Sequence, residues 1–278
     1  MTTFQKVVKY LAFAFAILLC VCIFGGIIGG IASIAPLLDK AVPNNVDTNI
    51  STDKEITEFA VTGDVKKLYI DIGAADLTLE YGEKAYVKYD RNRVNVKQDG
   101  GKLTVSEKTR LFNIDGNTDI VVCLAKGTEL ADTDIDTGAG SVFCDGLVTN
   151  SLDVDLGAGG AEFRNITVSR EADVDGGAGK LVIAGGIIRN LDFDMGVGRA
   201  EVRCILEGEN KLDLGVGACV LELVGTEADY CLKLDKGIGN ITVDGRNVHD
   251  GDVLGNGKTI VDIDGGIGSV SVTFAEKN

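Results

Sequence analysis

The 278-residue chain (29.2 kDa) carries 27 Lys and Arg against 42 Asp and Glu, a formal net charge of −15 with a pI near 4.5. That balance argues against nucleic acid as a partner, whose binding needs clustered cations to displace counterions, and the single histidine leaves little room for His-based general-base catalysis or multi-His metal sites. A hydrophobic fraction of 45% excludes a mostly disordered acidic chain, and the length suffices for one or two domains with a core of their own.

Residues 1–9 read as a short cytoplasmic N-terminus. From Tyr10 to Leu38 the chain runs 29 residues without a charge, YLAFAFAILLCVCIFGGIIGGIASIAPLL. A helix of that length reaches roughly 43 Å, against a bilayer core of about 30 Å. Lys6 and Lys9 precede it, and Asp39, Lys40 and Asp47 follow. The positive-inside bias therefore predicts one transmembrane helix over 10–38, with everything downstream outside the cell membrane. A cleaved signal peptide would need an apolar region about half as long. Its one passable cleavage site, Ser33-Ile34-Ala35, is followed by Pro36. A lipoprotein box is weaker still, because Leu19 stands where a small residue should precede Cys20. Gly25, Gly26, Gly29 and Gly30 form two overlapping GxxxG pairs, which read as a flexible helix end in preference to a dimer contact.

Residues 39–55, with Pro43, Asn44, Asn45 and Asp47, form a polar linker without apolar periodicity. Downstream the chain has no proline, as expected where nearly every backbone N–H joins a sheet ladder. One pattern then recurs: YIDIGAADLTL, DIDTGAGSVFC, DVDLGAGGAEF, DVDGGAGKLVI, DFDMGVGRAEV, KLDLGVGACVL, KLDKGIGNITV and DIDGGIGSVSV. The leading glycines are Gly73, Gly138, Gly157, Gly177, Gly196, Gly215, Gly237 and Gly266, and most of the later ones lie 19 or 20 residues apart. Asp stands two residues before each glycine, preceded in turn by an apolar residue. Alternation with period two on both sides of the glycines predicts strands. A rung this short cannot bury its own face, but stacked rungs can. The fold class predicted is all-β, a β-solenoid of 19–20-residue rungs preceded by the membrane helix. The residue between the glycines passes from Ala to Val to Ile along the chain, which suggests a shared core column. Within the β domain, 56–274, the part 56–130 reads as hairpin-rich, with YVKYD, RVNVKQD–GG–KLTVSEK and DIVVCLA as strands continuing the stack, and 131–274 as regular repeats. Residues 275–278 are a tail.

Over roughly residues 56–274 this pattern resembles the bacterial putative-adhesin β-strand-repeat family of unknown function. The resemblance includes DIVVCLAKGTEL before TDIDTGAGSV and the closing GNGKTIVDIDGGIGSVSV, with Ala125 where the family usually has Pro. It implies a membrane-anchored or secreted β-solenoid at the cell surface, without an established chemistry.

The Asp column has two physical readings. Alternation puts Asp134 and Asp136, Asp153 and Asp155, Asp173 and Asp175, and Asp192 and Asp194 on one strand face, where stacked charges repel unless bonded, protonated or bridged by cations. Those eight carboxylates are the candidates for weak Ca²⁺ binding. The preferred reading makes the Asp before each glycine an acceptor for corner N–H groups, as in an Asx-turn. The Gly-x-Gly copies are not dinucleotide loops, since no helix pattern follows any of them. Cys123, Cys144, Cys204, Cys219 and Cys231 contain no CxxC pair, and Cys144 and Cys219 fall in inward columns, so they read as buried hydrophobes. His249, in HDGDVLGNGK, reads as part of a surface loop. Some polysaccharide lyases and hydrolases are parallel β-helices, but they need a singular cluster of acids or sugar-holding aromatics that this repeat does not suggest.

The sequence thus predicts no enzyme and no cofactor beyond weak Ca²⁺. It predicts a membrane-anchored, adhesin-like surface or envelope scaffold whose partner is a surface ligand or a membrane protein. The alternative is an envelope-stress sensor or regulator acting through a membrane partner. Beyond residue 40 the chain has 24 basic and 41 acidic residues, net −17.

Overall fold

Alternation builds the strands. In the copy around Gly157, Leu152 and Val154 are buried while Asp153 and Asp155 face solvent, and beyond the glycines Ala161 and Phe163 are buried in turn. The inward side steps from Leu156 to Ala161, an odd interval that period-two alternation cannot make, so the chain turns a corner at Gly157-Ala158-Gly159. A second change of direction falls at Asn165, with φ 51°, after which Ile166 and Val168 return to the core.

The computed structural model describes residues 54–108 and 118–276. The predicted membrane helix at 10–38 lies outside the described residues, among which no helix is long and apolar enough to cross a membrane. The described chain is nearly all strand: β1 (Ile56–Ala60), β2 (Lys67–Gly82), β3 (Tyr86–Asp90), β4 (Val94–Asp99), β5 (Lys102–Glu107), β6 (Thr118–Ala125), β7 (Leu130–Asp145), β8 (Val148–Arg189), β9 (Leu191–Glu207), β10 (Glu209–Val224), β11 (Tyr230–Asp235), β12 (Ile238–Val243), β13 (Arg246–Asn247), β14 (Asp252–Leu254), β15 (Thr259–Asp264) and β16 (Ile267–Ala275). A short 3₁₀ turn, Glu227–Asp229, joins β10 to β11.

These strands form one large mixed sheet. Its centre is a parallel ladder in which equivalent repeat positions stand side by side: Ile70 pairs Ile135, Ile135 pairs Val154, Val174 pairs Phe193, and Phe193 pairs Leu212. The inward side chains make one continuous core, with Ile70, Ile135, Val154, Phe193 and Leu212 fully enclosed. Cys144, Cys204 and Cys219 are buried in it as expected, and burial pushes each thiol up to about 12.

Spatial order departs from sequence order at both ends. Leu212 of β10 pairs Ile263 of β15, and Ile263 pairs Leu234 of β11, so the copy at 259–275 is inserted between those at 209–224 and 230–243. At the other end β2 lies between β7 on one side and β5 with β6 on the other. Both outermost layers carry antiparallel strands: β4 on β5 and β3 on β6 at one end, β14 on β11 and β13 on β12 at the other. The expected Gly100-Gly101 hairpin turn joins β4 to β5. β1 adds antiparallel to β3, stapled by the buried Asp90, whose Oδ1 accepts the N–H groups of Glu55 and Asn92 at 3.2 and 3.0 Å.

The column between the glycines is the main correction to the sequence-based picture. Instead of entering the core it stands outside, with Val197 55%, Val216 47% and Ile238 52% exposed. The backbone explains this. At the second glycine φ is positive, +146° at Gly179, and a Cβ there would lie 1.7 Å from the Gly159 carbonyl oxygen of the next layer. A Cβ on the first glycine, Gly177, would lie 2.1 Å from the Gly157 oxygen. Layers touch backbone to backbone at this corner, so the intervening side chain has only solvent to enter.

Candidate functional site

Two rows of charged side chains run across the outer face that precedes the corner. The first, through neighbouring strands, reads Asp134, Asp153, Asp173, Asp192, Lys211, Asp262 and Lys233. The second reads Asp71, Asp136, Asp155, Asp175, Asp194, Asp213, Asp264 and Asp235. Strand spacing puts successive carboxylates about 4.8 Å apart, close enough for each to feel its neighbours. All eight sequence candidates, Asp134 to Asp194, therefore share one face.

Burial and mutual repulsion act together on this face. Partial desolvation, then the charges of neighbouring aspartates, push the carboxyls of Asp134, Asp153, Asp173, Asp175 and Asp194 above the ordinary value. At Asp194 the Lys211 ammonium partly offsets this, and Lys211 also donates to Asp213. Lys211 and Lys233 were not singled out from the sequence, although they stand in the first Asp column of KLDLGVG and KLDKGIG. Among the described residues, no three His, Cys, Asp or Glu side chains converge on a point that could hold one metal ion. Melting curves in Ca²⁺ and in Mg²⁺ at matched ionic strength separate the two readings of the column: a Ca²⁺-selective rise favours cation binding, and superposed curves favour the structural role.

The corner-acceptor role is met near the end of the ladder. Asp235 Oδ1 accepts the Gly237 N–H at 3.2 Å and Asp264 Oδ1 the Gly266 N–H at 3.0 Å. There the first glycine also has positive φ, 56° and 50°. At Gly157 the backbone stays extended, and Asp155 faces solvent without such a bond. Asp155→Ala is therefore expected to leave stability within about 0.5 kcal/mol of the parent or slightly raise it, instead of costing the 1–3 kcal/mol typical of a lost acceptor. Chemical denaturation measures this directly.

The raised carboxyls also set a pH dependence. A carboxyl whose pKa is higher folded than unfolded binds more protons in the folded chain, so stability falls as pH rises through that window. The melting temperature is expected to rise as pH is lowered from 7 into the acidic range where these raised carboxyls gain their protons. A melting temperature unchanged or falling over that range would contradict the repulsive ladder. Added monovalent salt, which screens the same charges, should raise stability at pH 7 more than at the lower pH.

An open groove of about 780 Å³ runs along this face and is flanked by Asp153, Asp173, Asp192, Lys211, Lys233 and Asp262. Asn210 is 3% exposed in it, accepting the Leu191 N–H at 3.0 Å and donating to the Ile260 carbonyl at 3.0 Å, so one amide ties three layers together. Asn210→Ala should cost about 1–3 kcal/mol by leaving both backbone groups unpaired. His249, expected on the surface, is exposed there beside Asp252.

No family model matches this sequence, and no curated protein matches it. Similar proteins are found among solved structures. A putative adhesin from Bacteroides fragilis superposes with a TM-score of 0.51 at 13% identity, covering 80% of this chain and 98% of that one. A putative adhesin from Parabacteroides distasonis gives a TM-score of 0.45 at 16% identity, covering 81% and 98%. The first of these likenesses shows a common fold.

Proposed function

We propose that residues 56–274 form a β-solenoid that acts as a non-catalytic, adhesin-like surface or envelope scaffold, held at a cell membrane by residues 10–38 with the β domain outside. The observation that carries this reading is the in-register parallel ladder. Through the eight repeats each copy pairs in parallel with its equivalent in the neighbouring layer, which is how a coil stacks, and the outer face repeats the same carboxylate at every one of those layers. A repeating face suits many weak contacts with a repeating surface, whose strengths multiply through effective concentration. The fold shared with the Bacteroides fragilis protein supports the same reading.

The test uses the full chain in cells, with Cys20, Cys22 and Cys231 replaced by serine and Lys126→Cys on an exposed turn. An impermeant thiol reagent should label intact cells, and those cells should adhere to a glycan-coated surface more than cells lacking the protein. Labelling only after lysis would overturn the orientation. Unchanged adhesion, together with a stoichiometric membrane protein co-purifying in detergent, would favour the sensor alternative.

A further inference from the structure

The corner column gives the molecule a ridge. Through neighbouring layers it runs Ala74, Ala139, Ala158, Ala178, Val197, Val216, Ile267 and Ile238, growing in size from one end to the other. Val197, Val216 and Ile238 are exposed side chains with no role in the core. Glycines on both sides, in every layer but the first where Ala75 follows Ala74, leave the ridge's flanks bare of side chains, so another molecule can approach it at backbone distance.

Charge on the two sides of the ridge differs. Three residues before it stands the unbroken row Asp71, Asp136, Asp155, Asp175, Asp194, Asp213, Asp264 and Asp235. Two residues after it, on the opposite side, the row reads Asp76, Ser141, Gly160, Lys180, Arg199, Ala218, Ser269 and Asn240. Lys180 and Arg199 are well exposed, sharing the carboxylate of Glu201 at 3.2 and 2.7 Å.

We infer that this ridge is a self-association surface whose occupant is the same ridge of a second copy, related by a two-fold axis parallel to the ladder. Two arguments select that partner and orientation. A second copy has the same layer spacing, about 4.8 Å, so each apolar knob meets its own counterpart along the whole contact. With the axis parallel to the ladder, the acidic row of each copy faces the other's mixed row, and Lys180 and Arg199 come opposite Asp175 and Asp194. With the axis across the ladder, acidic row would face acidic row, which like-charge repulsion disfavours.

The experiment uses the full chain in detergent in the Cys20→Ser, Cys22→Ser, Cys231→Ser background. Val197→Cys and Val216→Cys, each alone, should give disulfide-linked dimers under mild oxidation, because the parallel axis brings every layer against itself. Adding Val197→Asp to Val216→Cys should lower the linked fraction at least about tenfold, with the thermal melt unchanged because position 197 is exposed. Arg199→Glu with Lys180→Glu should weaken linkage, and Asp194→Lys with Asp175→Lys should restore it. Failure to cross-link at either position overturns the proposal. Linkage at only one of the two points to the crossed orientation and also overturns it. Linkage insensitive to Val197→Asp assigns association to residues 10–38 and removes the ridge as its cause.

Discussion

Gly179→Ala is expected to destabilise the β domain by about 3 kcal/mol or more, because two separate penalties meet at one atom. The new Cβ would lie 1.7 Å from the Gly159 oxygen and 2.8 Å from its carbonyl carbon, and all of those atoms are backbone that cannot rotate aside. The φ of +146° is also a region that L-residues rarely adopt. Relief requires neighbouring layers to separate, which disturbs the same contact at Gly198, whose own Cβ would lie 1.9 Å from the Gly179 oxygen. Gly245→Ala is the matched control: φ is +72°, yet nothing lies within 4 Å. It should cost only about 1–2 kcal/mol, the backbone penalty alone. Denaturant unfolding of both variants separates the two effects, and equal costs would show that the glycine columns serve the backbone turn and not the stacking.

The second large effect is expected at Phe193→Asp. Phe193 is fully enclosed, with Val174 and Leu212 as its neighbours in the adjoining layers, so a carboxylate there would lose its hydration with no cation to pair with. A loss above about 4 kcal/mol is expected, enough to unfold a domain of ordinary stability. Val197→Asp, four residues along the same strand, puts the same group on the exposed corner and should change stability by less than about 0.5 kcal/mol. Thermal melts of the pair test the placement of the corner: similar losses in both would return the middle column to the core.

That contrast marks the boundary of what the sequence expressed. Period-two alternation and the recurring Asp and Gly columns were enough to find the strands, their common register and the inward position of Cys144 and Cys219. They were also enough to place the Gly100-Gly101 turn and the exposed loop at His249. The fate of Ala158, Val197 and Ile238 was not legible, because an apolar residue between two glycines reads alike on either side of a corner. Only the contact of Gly179 with the Gly159 carbonyl reveals which side is filled. Acceptor behaviour was hidden for a similar reason. Asp155 and Asp264 occupy equivalent positions, but the backbone after them differs, extended at Gly157 and of positive φ at Gly266, and the sequence does not show which copies take which path. Layer order was hidden because near-identical repeats are near-equivalent partners: nothing in KLDLGVG says that it prefers DIDGGIG over the nearer KLDKGIG.

The transposed layers bear on how the ladder comes apart. In a simple stack the outermost repeat has one neighbour and a loose strand, and it frays first. Here the layer at 230–243 continues at both of its ends into chain that is paired inside the ladder, at 209–224 and at 259–275. Peeling it off releases a closed loop, which gains less conformational entropy than a free strand would. A pull transmitted through β16 must slide that strand out from between β10 and β12, breaking two rows of parallel hydrogen bonds together instead of one after another. Tension along the chain therefore meets the sheet in shear, the direction in which a ladder resists most.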